Sequence, residues 1–232
     1  MSRAFSLAPS TLTDALYDAV RVRIINGELA PGEKLTEARL SSEYSVARPT
    51  AKACLERLTA AGLLRRSAHK SAVVPVLTVD ELDDIFMARA AVERAAVSHL
   101  AHAAHVPEPA VRAQAALEIA AEQLQFPDQV AADIAFHTAL VDAAGSTRLL
   151  KMHTLIMGEV HLTMGQFQAH RATNPSTVSN EHVEILQAIE SGDTDGAVHA
   201  LTEHLQNARA RLVARAQATG SLPPQPMPAK NE

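Results

Sequence analysis

Residues 27–64 constrain the fold more than any other segment, because they carry two short helical patterns joined by a tight turn. Thr36 can cap the first helix, since its hydroxyl can accept a hydrogen bond from an unpaired backbone N–H of the first turn. Residues 44–46 then form the turn. A second helix starts near Pro49, because proline is tolerated in the first turn of a helix, and it ends at Gly62. The segment therefore predicts a helix–turn–helix.

The second helix of this motif has one apolar face and a basic N-terminal end. Its apolar residues recur at three- and four-residue steps and predict a buried face: Ala51, Leu55, Leu58 and Ala61. Arg48 and Lys52 lie one turn apart at the opposite, exposed side. The N-terminal end of a recognition helix contacts base edges in the major groove of DNA. We therefore predict that Arg48, Thr50 and Lys52 bind DNA.

A β-hairpin pattern follows the motif directly. Residues 63–66 and 72–76 are strand-like and flank the polar tip 67–71. A hairpin in this position is a candidate wing, the second DNA-contacting element of a winged helix. We include Arg66, His69 and Lys70 among the predicted DNA contacts.

Charge is distributed unevenly along the chain. Residues 1–77 hold eleven Lys or Arg against seven Asp or Glu, a net charge of +4. Residues 78–232 hold ten against nineteen, a net charge of −9. This asymmetry predicts that the first part meets an anionic polymer and the second does not. The clustering of the basic residues at the motif and the wing supports DNA as that polymer.

The composition is that of a globular, mainly helical protein. The chain has 232 residues, of which 47% are hydrophobic and 3% aromatic, and no apolar run approaches the length of a membrane span. The single cysteine, Cys54, excludes an internal disulfide framework and suits a reducing compartment. The N-terminal segment lacks the apolar core of a signal peptide. We expect a cytoplasmic protein without a membrane partner.

The pattern becomes purely helical after residue 77. Thr78 and Glu81 form a capping-box pattern at the start of a new helix. Six helices are predicted in this part of the chain, near residues 79–104, 107–124, 128–144, 147–170, 179–191 and 194–217. The predicted fold is mainly α, with a winged helix–turn–helix domain (1–77), an all-α six-helix bundle (78–218) for effector binding and dimerisation, and a disordered tail (219–232).

Four polar residues lie on the predicted inward faces of this bundle. Asp133 precedes His137 by one helical turn, so both share a face, and His182 and His204 each lie among apolar neighbours. One divalent first-row metal could satisfy the carboxylate and the three imidazoles together. The alternative is that each residue is hydrogen-bonded separately. The sequence does not show that the three helices converge. His153, His161 and His170 are expected to be solvated or at a pocket rim.

The motif segment resembles the GntR superfamily of bacterial winged-helix regulators in three stretches, GELAPGEKLTEARL, SVARPTAKACLERL and AAGLL. The C-terminal part resembles the effector domain of the FadR subfamily. The matching positions are Arg89-x3-Glu93, Phe136 with Asp133-x3-His137, Glu181-His182, and His204. The resemblance covers about residues 10–215, and six helices are more similar to the shorter VanR-type branch. It implies that Asp133, His137, His182 and His204 hold a divalent transition metal, zinc first, with nickel or manganese as alternatives.

Arg89 and Asn207 are the candidate effector contacts. A guanidinium at Arg89 that enters the bundle could grip a carboxylate with two parallel hydrogen bonds, a geometry that lysine cannot supply. The alternative is a surface arginine paired with a nearby acid. Asn207, three residues after His204, could donate to the same ligand. The resemblance implies a small carboxylate metabolite as the effector.

Three positions depart from the resembled family. Ala47 stands where a serine hydroxyl is usual, Lys52 stands where an arginine is usual, and Ser71 stands where the wing often has glycine. A lysine cannot grip guanine with two parallel hydrogen bonds, so Lys52 offers a less specific base contact than arginine would.

The function predicted from the sequence is a dimeric, ligand-responsive transcriptional regulator that binds an inverted-repeat operator, more in keeping with a repressor than an activator. A metal-dependent hydrolase or lyase in the C-terminal bundle is the alternative, because a metal with an open position can activate water. A plain helical interaction module would leave the inward Asp and His residues unexplained.

Overall fold

The structure is a computed structural model that describes residues 12–66, 71–167 and 175–219. The chain divides into two compact units, with the boundary between Pro75 and Val76. The tip of the predicted wing, including His69 and Lys70, lies outside the described residues. So does the predicted tail beyond Thr219.

The first unit combines helices with a small sheet. Its elements in chain order are α1 (Leu12–Ile25), β1 (Lys34–Leu35), α2 (Glu37–Glu43), α3 (Arg48–Ala60), β2 (Arg65–Arg66) and β3 (Ala72–Val73). The predicted cap is present, since Arg39 N–H donates to Thr36 Oγ1 at 3.2 Å. Gly62 ends α3 with a φ of 74°, a left-handed conformation that glycine adopts without a steric penalty. The helix–turn–helix fold predicted from the sequence is confirmed.

The sheet of this unit has one strand more than the predicted hairpin. The described strands lie in the order β1-β3-β2, and both pairs are antiparallel. Lys34 lies opposite Val73, on the side of β3 away from β2. A two-residue strand carries too little alternation to be recognised in the sequence, so β1 could not be predicted. The hydrogen bond from Gly32 N–H to Val74 O, at 2.8 Å, extends the same pairing.

Helices α1, α2 and α3 pack around a shared apolar core. The fully or almost fully buried residues of this core include Leu16, Val20, Ile24, Leu40, Ala51, Leu55 and Leu58. Cys54 is buried on the same face of α3, and burial raises the pKa of its thiol to about 11. The thiol is therefore a packed core group and not a nucleophile.

The second unit is all-α in its described residues. Its helices are α4 (Val79–His102), α5 (Glu108–Glu122), α6 (Phe126–Ala143), α7 (Thr147–Phe167), α8 (Pro175–Glu190) and α9 (Thr194–Thr219). Helix α4 packs against α6, α7, α8 and α9, and α5 packs against α6 and α8. None of the described helices is long and apolar enough to cross a membrane. Because α4 packs against four of the other five described helices of this unit, it lies at the centre, where the inward faces of α6, α8 and α9 meet.

A capping box fixes the start of this central helix. Glu81 N–H donates to Thr78 Oγ1 at 3.2 Å, and Thr78 N–H donates to Glu81 Oε2 at 2.9 Å. The two side chains thus accept from the backbone N–H groups of Thr78 and Glu81, which have no acceptor within α4.

Replacing Thr78 with alanine is expected to lower the free energy of unfolding by about 1 kcal/mol, because α4 loses its N-cap. Urea denaturation followed by circular dichroism measures this change. Thr154→Ala is the matched control, since Thr154 is exposed within α7 and its hydroxyl donates only to Leu150 O of its own helix. The capping role is wrong if the two variants have equal stability.

Candidate metal centre and adjoining cavity

Four buried side chains converge where three helices meet. Asp133 and His137 come from α6, His182 comes from α8 and His204 comes from α9, and each is at most 2% exposed. One potential ligand atom from each residue lies within 4.8 Å of those of the others. The four-residue spacing on α6 places Asp133 and His137 on one face, and packing against α8 and α9 adds the other two. The structure therefore brings together all four residues that the sequence singled out.

The ring nitrogens of the three histidines face one another at short range. His137 Nε2 lies 3.1 Å from His204 Nε2. His182 Nε2 lies 3.5 Å from Asp133 Oδ1 and makes no hydrogen bond within the described residues. Phe136 stacks on the His182 ring, with centroids 3.9 Å apart and planes 4° apart, so this imidazole cannot turn freely.

Each imidazole has its other nitrogen, Nδ1, against an oxygen acceptor. His137 Nδ1 lies 2.8 Å from Glu93 Oε2, and His204 Nδ1 lies 2.8 Å from Glu181 Oε2. Carboxylate oxygens accept hydrogen bonds, so both Nδ1 atoms carry the ring proton. The Nε2 atoms of these two rings are then unprotonated.

A neutral amide takes the same role for the third histidine. His182 Nδ1 lies 3.0 Å from Gln114 Oε1. The Gln114 amide nitrogen donates to Glu118 Oε1 at 2.9 Å and to Ser179 O at 3.1 Å, which fixes the orientation of the amide. His182 Nδ1 therefore donates to Gln114, and its Nε2 lone pair points toward the other ligand atoms.

The residues present fit a divalent first-row metal ion. Three Nε2 lone pairs and one carboxylate converge, and no proton lies between them. The lone pairs of His137 and His204, whose Nε2 atoms are 3.1 Å apart, repel each other unless a cation lies between them. Neutral imidazoles and a carboxylate are ligands that zinc accepts in proteins. Each imidazole also has an oxygen of Glu93, Gln114 or Glu181 beside its Nδ1, as metal-binding histidines usually have, and we call these three residues the outer acceptors.

Burial keeps His137 and His204 neutral. Burial lowers the pKa of His137 to about 3, with the Arg89 charge acting in the same direction. Burial also lowers the pKa of His204 to about 4. Although burial by itself raises the pKa of Glu181, its hydrogen bonds with His204 and Arg211 bring that pKa down to about 2. In the metal-free protein at neutral pH, His137 and His204 are thus neutral and Glu181 is ionised.

Glu93 links the histidine cluster to a buried arginine. Arg89 Nε donates to Glu93 Oε1 at 2.7 Å, and the arginine side chain is fully buried. Its two terminal nitrogens, Nη1 and Nη2, have no hydrogen-bond partner within the described residues. Burial alone raises the pKa of Glu93, but the Arg89 charge and the contacts with His137 and His153 hold it well below its usual value. Glu93 is therefore an ionised acceptor shared by Arg89 and two histidines.

The expectation that His153 is solvated is wrong. His153 is fully buried on α7, and its Nε2 lies 3.1 Å from Glu93 Oε1. The periodicity of α7 did not indicate a polar partner on α4, so the burial of His153 could not be predicted from the sequence. His161 is partly exposed, and His170 lies outside the described residues.

A cavity adjoins the histidine cluster. Its volume is about 10 Å³, which is about enough for one water molecule. It is lined by Asp133, Met164, Val178, His204, Ala208, Arg211 and Leu212. Asp133 and His204 of the cluster therefore face this small cavity. Arg89 does not line this cavity, because it lies on the Glu93 side of His137.

Arg211 stands at the wall of the cavity and was not singled out in the sequence. It binds Glu181 through two parallel hydrogen bonds, Nη1 to Oε1 at 2.9 Å and Nη2 to Oε2 at 3.0 Å. Its position seven residues after His204, on the same face of α9, was the available signal. Asn207 is exposed, and its amide donates to Glu181 Oε1 at 3.0 Å. Its predicted contact with an effector stays a prediction.

Among the basic DNA-binding candidates that the structure describes, Arg48, Lys52 and Arg66, only Arg48 makes no ion pair with a described acidic residue. Arg48 and Lys52 are exposed near the start of α3, and Thr50 between them is partly buried. Glu56 holds two of the other candidates, since its Oε1 lies 3.9 Å from Lys52 Nζ and 3.2 Å from Arg66 Nη2. Arg48 is thus available for a phosphate or a base without breaking a contact.

Comparison with known families assigns both units. The family model described as "Bacterial regulatory proteins, gntR family" matches residues 12–74. The model described as "FCD domain" matches residues 84–207. The helix–turn–helix segment and the histidine cluster each fall inside one of these matches.

Individual relatives resemble the chain over most of its length. A protein of Paenarthrobacter nicotinovorans named "Probable D-xylose utilization operon transcriptional repressor" is 26% identical, over 93% of this chain and 94% of its own. The "HTH-type transcriptional repressor RspR" of Escherichia coli (strain K12) is 23% identical, over 82% of this chain and 84% of its own. A solved structure of a GntR-type protein from Rhodococcus sp. RHA1 has a TM-score of 0.75 at 24% identity, covering 87% of this chain and 97% of that one. This last likeness concerns the fold.

We expect the metal-free protein to lose stability as the pH falls from 6.5 to 4.5. The unfolded chain takes up protons on histidines with a pKa near 6.5, whereas His137 and His204 stay neutral in the folded protein down to about 3 and 4. Since the unfolded state binds more protons in this range, each histidine lowers the free energy of unfolding by up to about 1.4 kcal/mol per pH unit. Urea denaturation of chelator-treated protein at several pH values measures the slope.

His204→Asn is expected to make this slope shallower, and His199→Asn is the control. His199 lies on the same helix, but its side chain is 73% exposed. Equal slopes in the two variants would contradict the argument.

Proposed function

Because this chain belongs to the gntR family of bacterial regulatory proteins and carries an FCD domain, we propose that it is a metal-containing, effector-controlled repressor. It is a transcriptional regulator and not an enzyme, since both matched families and the relatives are transcriptional regulators. The proposed metal is zinc, with nickel or manganese as alternatives, and the proposed effector is a small carboxylate metabolite. The proposal extends to a homodimer acting on operator DNA in the cytoplasm.

The observation that carries the metal proposal is the set of three Nε2 atoms and one carboxylate with matching outer acceptors. Asp133, His137, His182 and His204 would hold the ion, while Glu93, Gln114 and Glu181 fix the ring orientations. A bound divalent ion supplies a Lewis-acidic position for an anionic ligand. Asp133 and His204 also line a small cavity, which marks the side of the cluster that such a ligand would approach.

The effector proposal rests on two arginines on either side of the histidine cluster. Arg89 has two buried terminal nitrogens without partners among the described residues, which is costly unless a ligand accepts from them. Arg211 lines the cavity. An effector changes operator affinity only if it binds more tightly to one arrangement of the DNA-binding units than to another. We propose this differential binding as the mechanism of regulation.

The DNA proposal places the start of α3 in the major groove. Arg48, Thr50 and Lys52 would face the bases, with Arg66, His69 and Lys70 at the wing. A two-fold symmetric dimer would place one such helix in each half of an inverted repeat. The names of two relatives, both repressors, support repression over activation.

His204→Ala is expected to remove most of the bound metal, because it deletes one of four ligands and leaves Glu181 without its imidazole partner. In the unmodified protein, zinc at a hundredfold excess over its Kd should raise the free energy of unfolding by about 2.7 kcal/mol. Elemental analysis and thermal denaturation with and without zinc measure both effects. His199→Ala, an exposed change on the same helix, is expected to keep the metal. Unmodified protein that neither contains metal nor gains stability from zinc would rule out the site.

Arg48→Ala is expected to weaken operator binding by about 1–3 kcal/mol, with relaxed preference at one base position. Binding to operators varied one base pair at a time measures this preference. Arg112→Ala removes a paired, exposed arginine on α5 and is expected to leave affinity unchanged. A loss that is equal for all DNA sequences would make Arg48 a phosphate contact instead.

A further inference from the structure

His153 is a buried polar residue that neither the metal proposal nor the effector proposal uses. We infer that it is a positioning residue, which keeps the Glu93 carboxylate turned toward His137 and prevents a second hydrogen bond between Glu93 and Arg89. This inference rests on the proposed metal site, because the effect of His153 is exerted through the proposed ligand His137.

The ring of His153 has a described partner at one nitrogen only. The side chain is fully buried on α7, and its Nε2 lies 3.1 Å from Glu93 Oε1. Its Nδ1 is buried and has no hydrogen-bond partner within the described residues. A buried polar atom without a partner costs free energy, so an apolar side chain at this position would favour folding more. The contact with Glu93, and not the stability of the bundle, therefore explains a histidine here.

The two carboxylate outer acceptors are bound by their arginines in different ways. Arg211 binds Glu181 through two parallel hydrogen bonds, at 2.9 and 3.0 Å, which fix the plane of that carboxylate. Arg89 donates to Glu93 Oε1 through Nε, at 2.7 Å, while its Nη1 and Nη2 have no hydrogen-bond partner within the described residues. The arginine by itself therefore does not fix the plane of the Glu93 carboxylate.

His153 supplies the second contact that fixes this plane. A carboxylate with one hydrogen bond to a guanidinium can rotate about that bond, and two parallel hydrogen bonds are the favoured geometry of such a pair. Because His153 Nε2 also lies against Oε1, Glu93 is held from two helices, α4 and α7. Its Oε2 then stays 2.8 Å from His137 Nδ1. Without His153, we expect the carboxylate to turn toward the guanidinium, so that His137 loses its outer acceptor.

Replacing His153 with leucine is expected to weaken zinc binding by the full-length protein about tenfold, the lower end of the effect of losing an outer acceptor. Competition with a chromophoric chelator measures the zinc dissociation constant. The metal-free variant is expected to be at least as stable to urea as the unmodified protein, since the change removes a buried polar atom without a partner among the described residues. An unchanged zinc dissociation constant overturns the inference.

His153→Gln separates the hydrogen bond from the packing of the ring. The glutamine amide carries N–H donors and can donate to Glu93 Oε1 from about the position of the imidazole Nε2. We expect this variant to regain most of the zinc affinity that leucine loses. Thr163→Val is the control, because Thr163 is buried on the same helix and its hydroxyl donates to Val160 O, so zinc affinity should be kept. Equal losses with glutamine and leucine would contradict the positioning role.

Arg89→Lys tests the competition between Arg89 and His137 for Glu93. Lysine keeps the positive charge but cannot form two parallel hydrogen bonds with a carboxylate. We therefore expect His153→Leu to weaken zinc binding about tenfold when residue 89 is arginine, and less when it is lysine. Zinc dissociation constants of the two single variants and the double variant give this comparison. An equal loss in both backgrounds shows that Arg89 does not compete for the carboxylate, and it overturns the inference.

These outcomes separate the inference from the proposed function. Unmodified protein that binds no zinc overturns both. Protein that binds zinc, and whose His153→Leu variant binds it equally tightly, keeps the proposed metal site and overturns only the role of His153.

Discussion

The packing of the second unit depends on hydrogen-bond partners for a group of buried polar side chains at the junction of its helices. Four potential metal ligands are buried there, and removing such groups from water costs free energy unless each finds a partner. The partners come from other helices: Glu93 from α4, Gln114 from α5 and Glu181 from α8. Because the cluster joins five helices through hydrogen bonds and close contacts, its geometry and the packing of the bundle are set together. A metal ion would complete this arrangement by occupying the space that the Nε2 atoms share.

The outer acceptors are not equivalent, and this difference matters for the chemistry of the cluster. Glu93 and Glu181 are carboxylates that also bind Arg89 and Arg211, so each imidazole they hold is connected to a guanidinium. Gln114 is neutral and is anchored by Ser179 and Glu118. Two arginines thus sit one carboxylate away from the proposed metal ligands. An anionic ligand near the metal would attract both guanidinium groups. Since Arg89 belongs to α4 and Arg211 to α9, binding of the proposed effector would act on both helices.

At Ala47 and Lys52, where the resemblance led us to expect serine and arginine, the structure shows how the start of α3 is arranged. Ala47 still has the extended conformation of an N-cap residue but provides no side-chain hydrogen bond to α3. Lys52 and Arg66 share Glu56, so DNA would compete with this carboxylate for both cations. Arg48 has no such competition. The DNA contacts themselves are proposals.

The sequence by itself determined the fold class, the helix–turn–helix and the helical character of the rest, because those follow from local periodicity and capping residues such as Thr36 and Thr78. It also indicated Asp133 and His137 as a pair, since a spacing of four residues fixes a shared helix face. It could not show that His182 and His204 meet them, that His153 is buried, or that Gln114 and Arg211 take part. Those facts depend on which helices pack together and at what rotation, and such long-range contacts leave no periodic signal within a single helix. The two-residue strand β1 was missed for the same reason, because only its pairing with β3 defines it.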